Sequence, residues 1–213
     1  MDKKILIVAA THEELAETFD YFGWQREHFM QSAVADVLIT GVGMTATAFA
    51  LGKQLNRNYS LVLNVGIAGS FDKHITLGNL VNITKDTFSE LGAEDGESFI
   101  SLDELGFGQS SFTSNFTSSI DLIKDLPTVS GTTVNTVHGC TNRIESLLER
   151  LTVQTESMEG AAVFYACHQM NIPVLQIRSI SNYVEQRNKD NWKIGLAIKN
   201  LNEWLIDFIN FVP

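Results

Sequence analysis

The sequence predicts an α/β fold: a single domain over residues 1–213, with three α/β/α layers around a central mixed, mostly parallel twisted sheet. Three observations predict it. Short continuous apolar runs such as Ile5–Ala10 and Leu61–Val65 read as strands buried on both faces. Stretches with helical apolar spacing separate those runs, the alternation that builds parallel sheets covered by helices. Hydrophobic residues make up 44% of the chain and charged ones 19%, so a chain of this length has the apolar content for one substantial core.

The elements follow in order. Ile5–Ala10 is a strand; two lysines precede it, but the apolar run is too short for the centre of an export signal and Thr11-His12-Glu13-Glu14 ends it. Glu13–Tyr21 reads as a helix, and Trp24–Ser32 as an irregular or hairpin segment leading into the strand Val34–Thr40. Thr47, Ala50, Leu51 and Leu55 give Thr45–Leu55 helical spacing, and Leu61–Val65 is the next buried strand. Val81–Thr84, Thr128–Ser130 and Val174–Arg178 are further strands. Ile144–Leu151, Gly160–Met170 and Trp192–Val212 are helices. Phe112 and Phe116, within the Ser/Thr-rich segment 109–119, read either as apolar surface at an interface or as part of an ordered loop.

Composition narrows the partners. A formal net charge of −10 with no basic run disfavours a phosphate-backbone partner, so nucleic acid is not expected. No apolar stretch approaches the about 18 residues of a membrane span. Cys140 and Cys167 form neither a metal-ligand spacing nor a disulfide framework, which fits a reducing cytoplasm. The five histidines are scattered, and neither a metal nor a cofactor is expected.

Candidate site residues gather at strand ends, where open α/β sheets bind ligands. Gly41-Val42-Gly43-Met44 follows the strand Val34–Thr40, and Gly66-Ile67-Ala68-Gly69-Ser70 follows Leu61–Val65. Each is either a tight strand-to-helix turn or a loop whose N–H groups meet a ligand. Neither has dinucleotide or P-loop spacing. Glu13 and Glu14 follow the first strand. Glu156-Ser157-Met158-Glu159-Gly160-Ala161-Ala162 opens the helix Gly160–Met170; its acids are first-turn residues favoured by the helix dipole or members of a site. Arg178-Ser179-Ile180-Ser181-Asn182 closes the last strand. Together these positions describe a small-molecule pocket.

Thr40-Gly41-Val42-Gly43, Asn64-Val65-Gly66-Ile67-Ala68-Gly69, Glu156-Ser157-Met158-Glu159-Gly160-Ala161-Ala162 and Arg178-Ser179-Ile180-Ser181-Asn182 occur in an order and spacing that resemble the nucleoside phosphorylase and nucleosidase superfamily over the whole chain. The resemblance implies a cleaved N-glycosidic bond. By it, Glu14 is the carboxylate that activates water, Met158 packs beneath the ribose, and Glu159 binds the ribose hydroxyls. Glu14 rather than Glu13 is chosen by this alignment. Glu156 is a flanking acid that helps set the loop, and Gly43 and Gly69 bring backbone close to the substrate.

Two departures refine the expectation. Asn64 stands where hexameric phosphorylases carry a phosphate-binding arginine, and the loop around Glu13 and Glu14 is acidic, so water is the expected nucleophile. Asn182 stands where the methylthioadenosine/S-adenosylhomocysteine nucleosidases carry an aspartate. An amide NH₂ suits N7 or the 6-oxo oxygen of a purine, pointing to a 6-oxopurine nucleoside. Within the superfamily, Val184, Arg187 and Trp192 after that motif look most like hydrolases whose nucleoside bears an aromatic carboxylate on its 5′ side. Arg187 and Lys189 are then candidates to meet that carboxylate, or members of a solvated loop. Phe71 and Trp192 line an apolar slot or belong to the core. An adenine nucleosidase, a purine nucleoside phosphorylase and a silent nucleoside-binding module are the competing readings. Relatives of this kind form dimers or larger rings, so a homo-oligomer is expected.

Overall fold

The structure, a computed structural model, describes residues 4–117 and 120–211. In chain order it contains β1 (Lys4–Ala9), α1 (Ala16–Phe22), β2 (Phe29–Gln31), β3 (Ala35–Ile39), α2 (Met44–Gln54), β4 (Tyr59–Ser70), β5 (Leu80–Phe88), β6 (Gly92–Asp95), β7 (Ser98–Ser101), β8 (Ser111–Thr113), α3 (Asp121–Lys124), β9 (Thr128–Thr133), α4 (Thr141–Arg150), β10 (Thr155–Ser157), α5 (Gly160–Met170), β11 (Val174–Tyr183) and α6 (Ile194–Phe211). The end predicted for the last helix, Val212, lies outside the described residues, as do Ser118 and Ser119.

Alternation along the central strands sorts side chains into two cores, which makes the three layers. Ile7, Ala9, Leu63, Val65, Leu175 and Ile177 face Phe19 of α1 and Leu201, Leu205 and Phe208 of α6. Their neighbours Leu6, Val8, Val62 and Val174 face the other way, onto Leu51 of α2 and Val163, Phe164 and Cys167 of α5. Period-two side chains in strands buried on both faces produce this division. Each fully buried Leu or Phe stabilises the fold by about 1.5–3 kcal/mol.

The main sheet is mixed. β1–β3, β1–β4, β4–β11, β5–β9 and β9–β10 are parallel, while β2–β3, β5–β11, β5–β8 and β4–β10 are antiparallel. Because β10 returns to β4, the strands β4-β11-β5-β9-β10 close on themselves into a small barrel beside the open β1-β3-β2 edge.

Several expectations are corrected. Gly66–Ser70 does not follow a strand but continues β4, because β11 pairs with it as far as Tyr183↔Ser70 and β10 pairs Glu156 with Gly69. Likewise Ser179–Asn182 belongs to β11. The helix predicted over Glu13–Tyr21 starts as a 3₁₀ turn, Glu13–Leu15, and is α-helical from Ala16. Phe112 is 5% exposed and stacks edge-on with Phe88, and Phe116, half-buried, packs against the α6-side core, so both have packing partners within the chain. The β6–β7 hairpin, turned at Gly96-Glu97, and the short strands β8 and β10 carry too little apolar alternation to read as strands.

One irregularity aims the site. β11 carries a bulge at Ser181: Ile180 pairs with Ala68, and Asn182 with Gly69. Ile180 therefore stays in the barrel core with Val81 and Ile83, while Ser181 and Asn182 both reach the cavity described below.

Candidate active site

The carboxyl ends of β1, β4 and β11, with β10 and the loop after β9, enclose a cavity of about 560 Å³, within the size range of small-molecule sites. Glu14, Gly69, Met158, Glu159, Asn182 and Arg187 all line it. Gly43 stands behind this wall; its φ of 94° suits glycine, and its N–H donates to Glu159 Oε1 at 2.9 Å.

The Thr11-His12-Glu13-Glu14 turn fixes Glu14. Thr11 Oγ1 accepts from the Glu14 N–H at 3.3 Å, and Glu14 Oε2 accepts in return from the N–H groups of Thr11 and Ala10, each at 3.1 Å. This is the reciprocal S/T-x-x-E capping arrangement. The other oxygen, Oε1, accepts from the Ile67 N–H of β4 at 3.1 Å. Glu14 is 7% exposed whereas Glu13 is exposed, which separates the two acids physically. Burial pushes the Glu14 carboxyl above its ordinary value of 4.5 and the nearby Glu159 adds to the rise, while Arg178 and the Ile67 N–H pull it back.

Glu159 caps the start of α5, and the barrel interior seats that helix. Thr133 Oγ1 accepts from the Ala161 N–H at 2.7 Å and donates to Asp86 Oδ1 at 2.9 Å, while Gln176 Nε2 donates to Asp86 Oδ2 at 2.9 Å. A Cβ at Gly160 would lie 2.1 Å from Asp86 Oδ2, so only glycine lets the helix begin there. Burial pushes Asp86 up to about 6, against Gln176, Thr133 and Arg178.

Sequence reasoning gave Arg178 no separate role, yet it lies under both catalytic candidates. Its side chain is 1% exposed; Nη2 donates to Asn64 Oδ1 at 2.9 Å and stands 3.9 Å from Glu159 Oε2. Asn64 is held in turn by donation from Nδ2 to the Val8 carbonyl at 3.1 Å. The expectation drawn from Asn64 therefore changes: position 64 lacks an arginine, but a guanidinium approaches from the adjoining strand and is engaged by Asn64 and Glu159. At Gly66 a Cβ would meet Arg178 Nη1 at 2.1 Å and Glu14 Oε1 at 2.7 Å. Gly66→Ala should displace both groups and lower kcat by about 100-fold, the scale of an ångström-sized misplacement. Steady-state rates beside a circular-dichroism melt check this; a wild-type kcat would show that the pair tolerates displacement.

Asn182 is oriented by its neighbours. Ser181 Oγ donates to Asn182 Oδ1 at 2.8 Å, and Asn182 Nδ2 donates to the Tyr183 carbonyl at 3.0 Å. One Nδ2 hydrogen remains for a ligand. A Cβ at Gly69 would come within 3.2 Å of that nitrogen, so glycine keeps the floor open beside it.

The remaining expectations separate. Met158 and Trp192 line the cavity, and the Arg187 guanidinium lies 5.2 Å from the Trp192 ring centroid, a cation–π arrangement at the outer wall. Lys189 is exposed in the 3₁₀ turn Lys189–Asn191, and neither it nor Phe71 lines the cavity. Glu156 is more than a flanking acid: it is 4% exposed, lines the cavity, accepts from the His138 N–H at 2.8 Å and pairs with His138 Nδ1. That pairing raises the His138 imidazole above its ordinary value, against the effect of burial. No sequence signal marks His138. Arg178 had a weak one, a charged residue directly after the apolar positions Leu175 and Ile177 of a strand.

A buried carboxylate held by three backbone N–H groups shares one cavity with a second carboxylate and the Asn182 amide, a site that suits an N-glycosyl hydrolase. The phosphorylase superfamily model matches residues 4–212, and the chain belongs to that superfamily. Futalosine hydrolase from Streptomyces coelicolor is 33% identical over 181 residues, covering 79% of this chain and 75% of that protein. The Acidothermus cellulolyticus futalosine hydrolase is 30% identical over 213 residues, covering 93% and 87%. Among solved structures, native futalosine hydrolase of Helicobacter pylori superposes with a TM-score of 0.81 at 17% identity, covering 100% of this chain and 99% of that one, a match of fold.

Proposed function

We propose that this chain hydrolyses the N-glycosidic bond of futalosine, releasing hypoxanthine and dehypoxanthine futalosine, as a step of menaquinone biosynthesis. The observation that carries the reading is the convergence of Glu14, Glu159 and Asn182 on one cavity. Two relatives at 30% identity or more bear the name futalosine hydrolase and support the substrate.

Cleavage places positive charge on the ribose and negative charge on the departing base, so groups that act on those charges lower the barrier. Glu159, fixed by the Gly43 N–H and faced by Arg178, accepts from ribose hydroxyls. Glu14, with both oxygens already held by backbone N–H groups and its carboxyl raised by burial, takes the proton of the attacking water. Asn182 donates its remaining N–H to N7 or O6 of the purine. Met158 supports the ribose face, and Arg187 on Trp192 meets the carboxylate of the 5′ side chain.

Incubation with futalosine, inosine and methylthioadenosine, with and without phosphate, tests this by the free base released. Hypoxanthine from futalosine without phosphate is expected. A phosphate requirement identifies a phosphorylase, and preferential adenine release an adenine nucleosidase. Asn182→Asp should shift the ratio of hypoxanthine to adenine release by at least about tenfold toward adenine, since a protonated aspartate pairs with both N7 and the exocyclic amine. An unchanged ratio would remove Asn182 from base selection.

A further inference from the structure

The cavity holds one pair of titratable groups that the scheme above leaves idle. Glu156 on β10 pairs across the sheet with Gly69 of β4, and Asn182 on β11 pairs with the same Gly69 from the other side. Two strand spacings put the Glu156 and Asn182 backbones about 10 Å apart. Side chains reaching the cavity from the two flanks of Gly69 can therefore meet neighbouring atoms of one bound base. Glu156 engages the His138 backbone N–H and Nδ1, so Nε2 is the ring nitrogen left for a ligand; it makes no hydrogen bond among the described residues. Both residues line the cavity, and the His138 side chain is 13% exposed.

We propose that His138, oriented by Glu156, donates a hydrogen bond from Nε2 to O6 of the purine while Asn182 donates to the neighbouring N7, and stabilises the negative charge that grows on the base as the glycosidic bond breaks. The proposal rests on the nucleoside-hydrolase reading and extends it, because Asn182 supplies a dipole whereas an imidazolium supplies a charge. At O6 of a 6-oxopurine such a donor is matched; at the 6-amino group of adenine it faces another donor.

Donation from both ring nitrogens requires the imidazolium. Glu156 favours it, the more distant Glu90 adds to that, and Arg143 of α4 and burial oppose it. Glu90 also holds the loop before His138, accepting from the Asn135 N–H at 2.8 Å. From the other side, the segment 185–187 packs against Gly139 and brings Glu185 and Arg187 to the same cavity; Glu14, Glu13 and Glu159 line the remaining walls. The net shift is upward, so the charged form persists above the ordinary histidine value of 6.5 and is lost as pH rises through the raised one.

The test compares the wild type, His138→Gln and Glu156→Gln on inosine or futalosine and on 4-nitrophenyl riboside, whose leaving group needs no donor, between pH 5.5 and 9. His138→Gln should reduce kcat/KM on the purine nucleoside by about 10- to 100-fold at pH 6.5, the scale of a hydrogen bond to a charged group, with at least tenfold less loss on the nitrophenyl substrate. It should also abolish the alkaline fall in rate, and Glu156→Gln should move that fall to lower pH. Equal losses on both substrates, or an alkaline limb that survives His138→Gln, would overturn the proposal. Should His138→Gln fail to fold in a thermal melt, the position of the limb in Glu156→Gln decides. A wild type that releases adenine but no hypoxanthine breaks the substrate reading and the O6 contact with it, whereas equal losses on both substrates overturn the role of His138 and leave the substrate reading standing.

Discussion

Glu14→Gln is expected to lower kcat by about 10²- to 10⁴-fold, the range for losing a positioned general base. The substitution keeps the length and shape of the side chain and removes the proton acceptor. The pH profile carries the sign of the argument. Because burial raises the Glu14 carboxyl above 4.5, the wild type should lose activity as pH falls through that raised value, and the limb should vanish in Glu14→Gln. Glu13→Gln is the matched control: Glu13 is exposed and makes no comparable hydrogen bonds among the described residues, so its rate should stay within about threefold of wild type. A thermal melt is needed beside the kinetics, since an amide cannot accept from Ala10, Thr11 and Ile67 as two carboxylate oxygens do. Residual activity that keeps the acid limb would place the base elsewhere in the cavity.

The distinction between Glu14 and Glu13, drawn above from the family resemblance alone, also has a local signal that the structure brings out. Thr11-x-x-Glu14 is a capping pattern written in four consecutive residues, so local chemistry decides which acid turns inward. The same holds for Gly160-Ala161-Ala162, where small residues announce a close helix start, and for the two-sided apolar strands, which give the three layers. Legibility fails wherever the deciding contact is remote in sequence. Closure of β10 onto β4 joins positions 155–156 to 69–70 and leaves no trace in either segment's periodicity. The bulge at Ser181 depends on how β11 meets β4, yet it lets Ser181 and Asn182 share one cavity. His138 lies in a loop without motif or period, and its meaning comes wholly from Glu156. Arg178 is a charge at the polar end of a strand, and nothing local says that it stands near Glu159 and acts on Glu14 and Asp86.

Arg178→Met should be the most destabilising of these substitutions, by about 3–5 kcal/mol near neutral pH, because it keeps the apolar stem and strips the counter-charge from a buried acidic cluster. Arg178 lies 3.9 Å from Glu159 and lowers the carboxyl values of both Glu14 and Asp86. Without it, Glu14 and Asp86 would be held still further above their ordinary values in the folded protein. Acids raised by folding support stability at low pH and withdraw that support as pH rises through the folded value. The deficit of the variant should therefore be smallest well below pH 3.8, the lower of the two ordinary values, where both carboxyls are protonated in folded and unfolded chains alike, and should widen through pH 6, where Asp86 already titrates in the wild type. Denaturant midpoints for both proteins across that range measure it. A deficit that does not change with pH would mean that Arg178 acts by filling space. A deficit that widens would mean that the guanidinium helps Glu14 and Asp86 to stand charged in the folded protein.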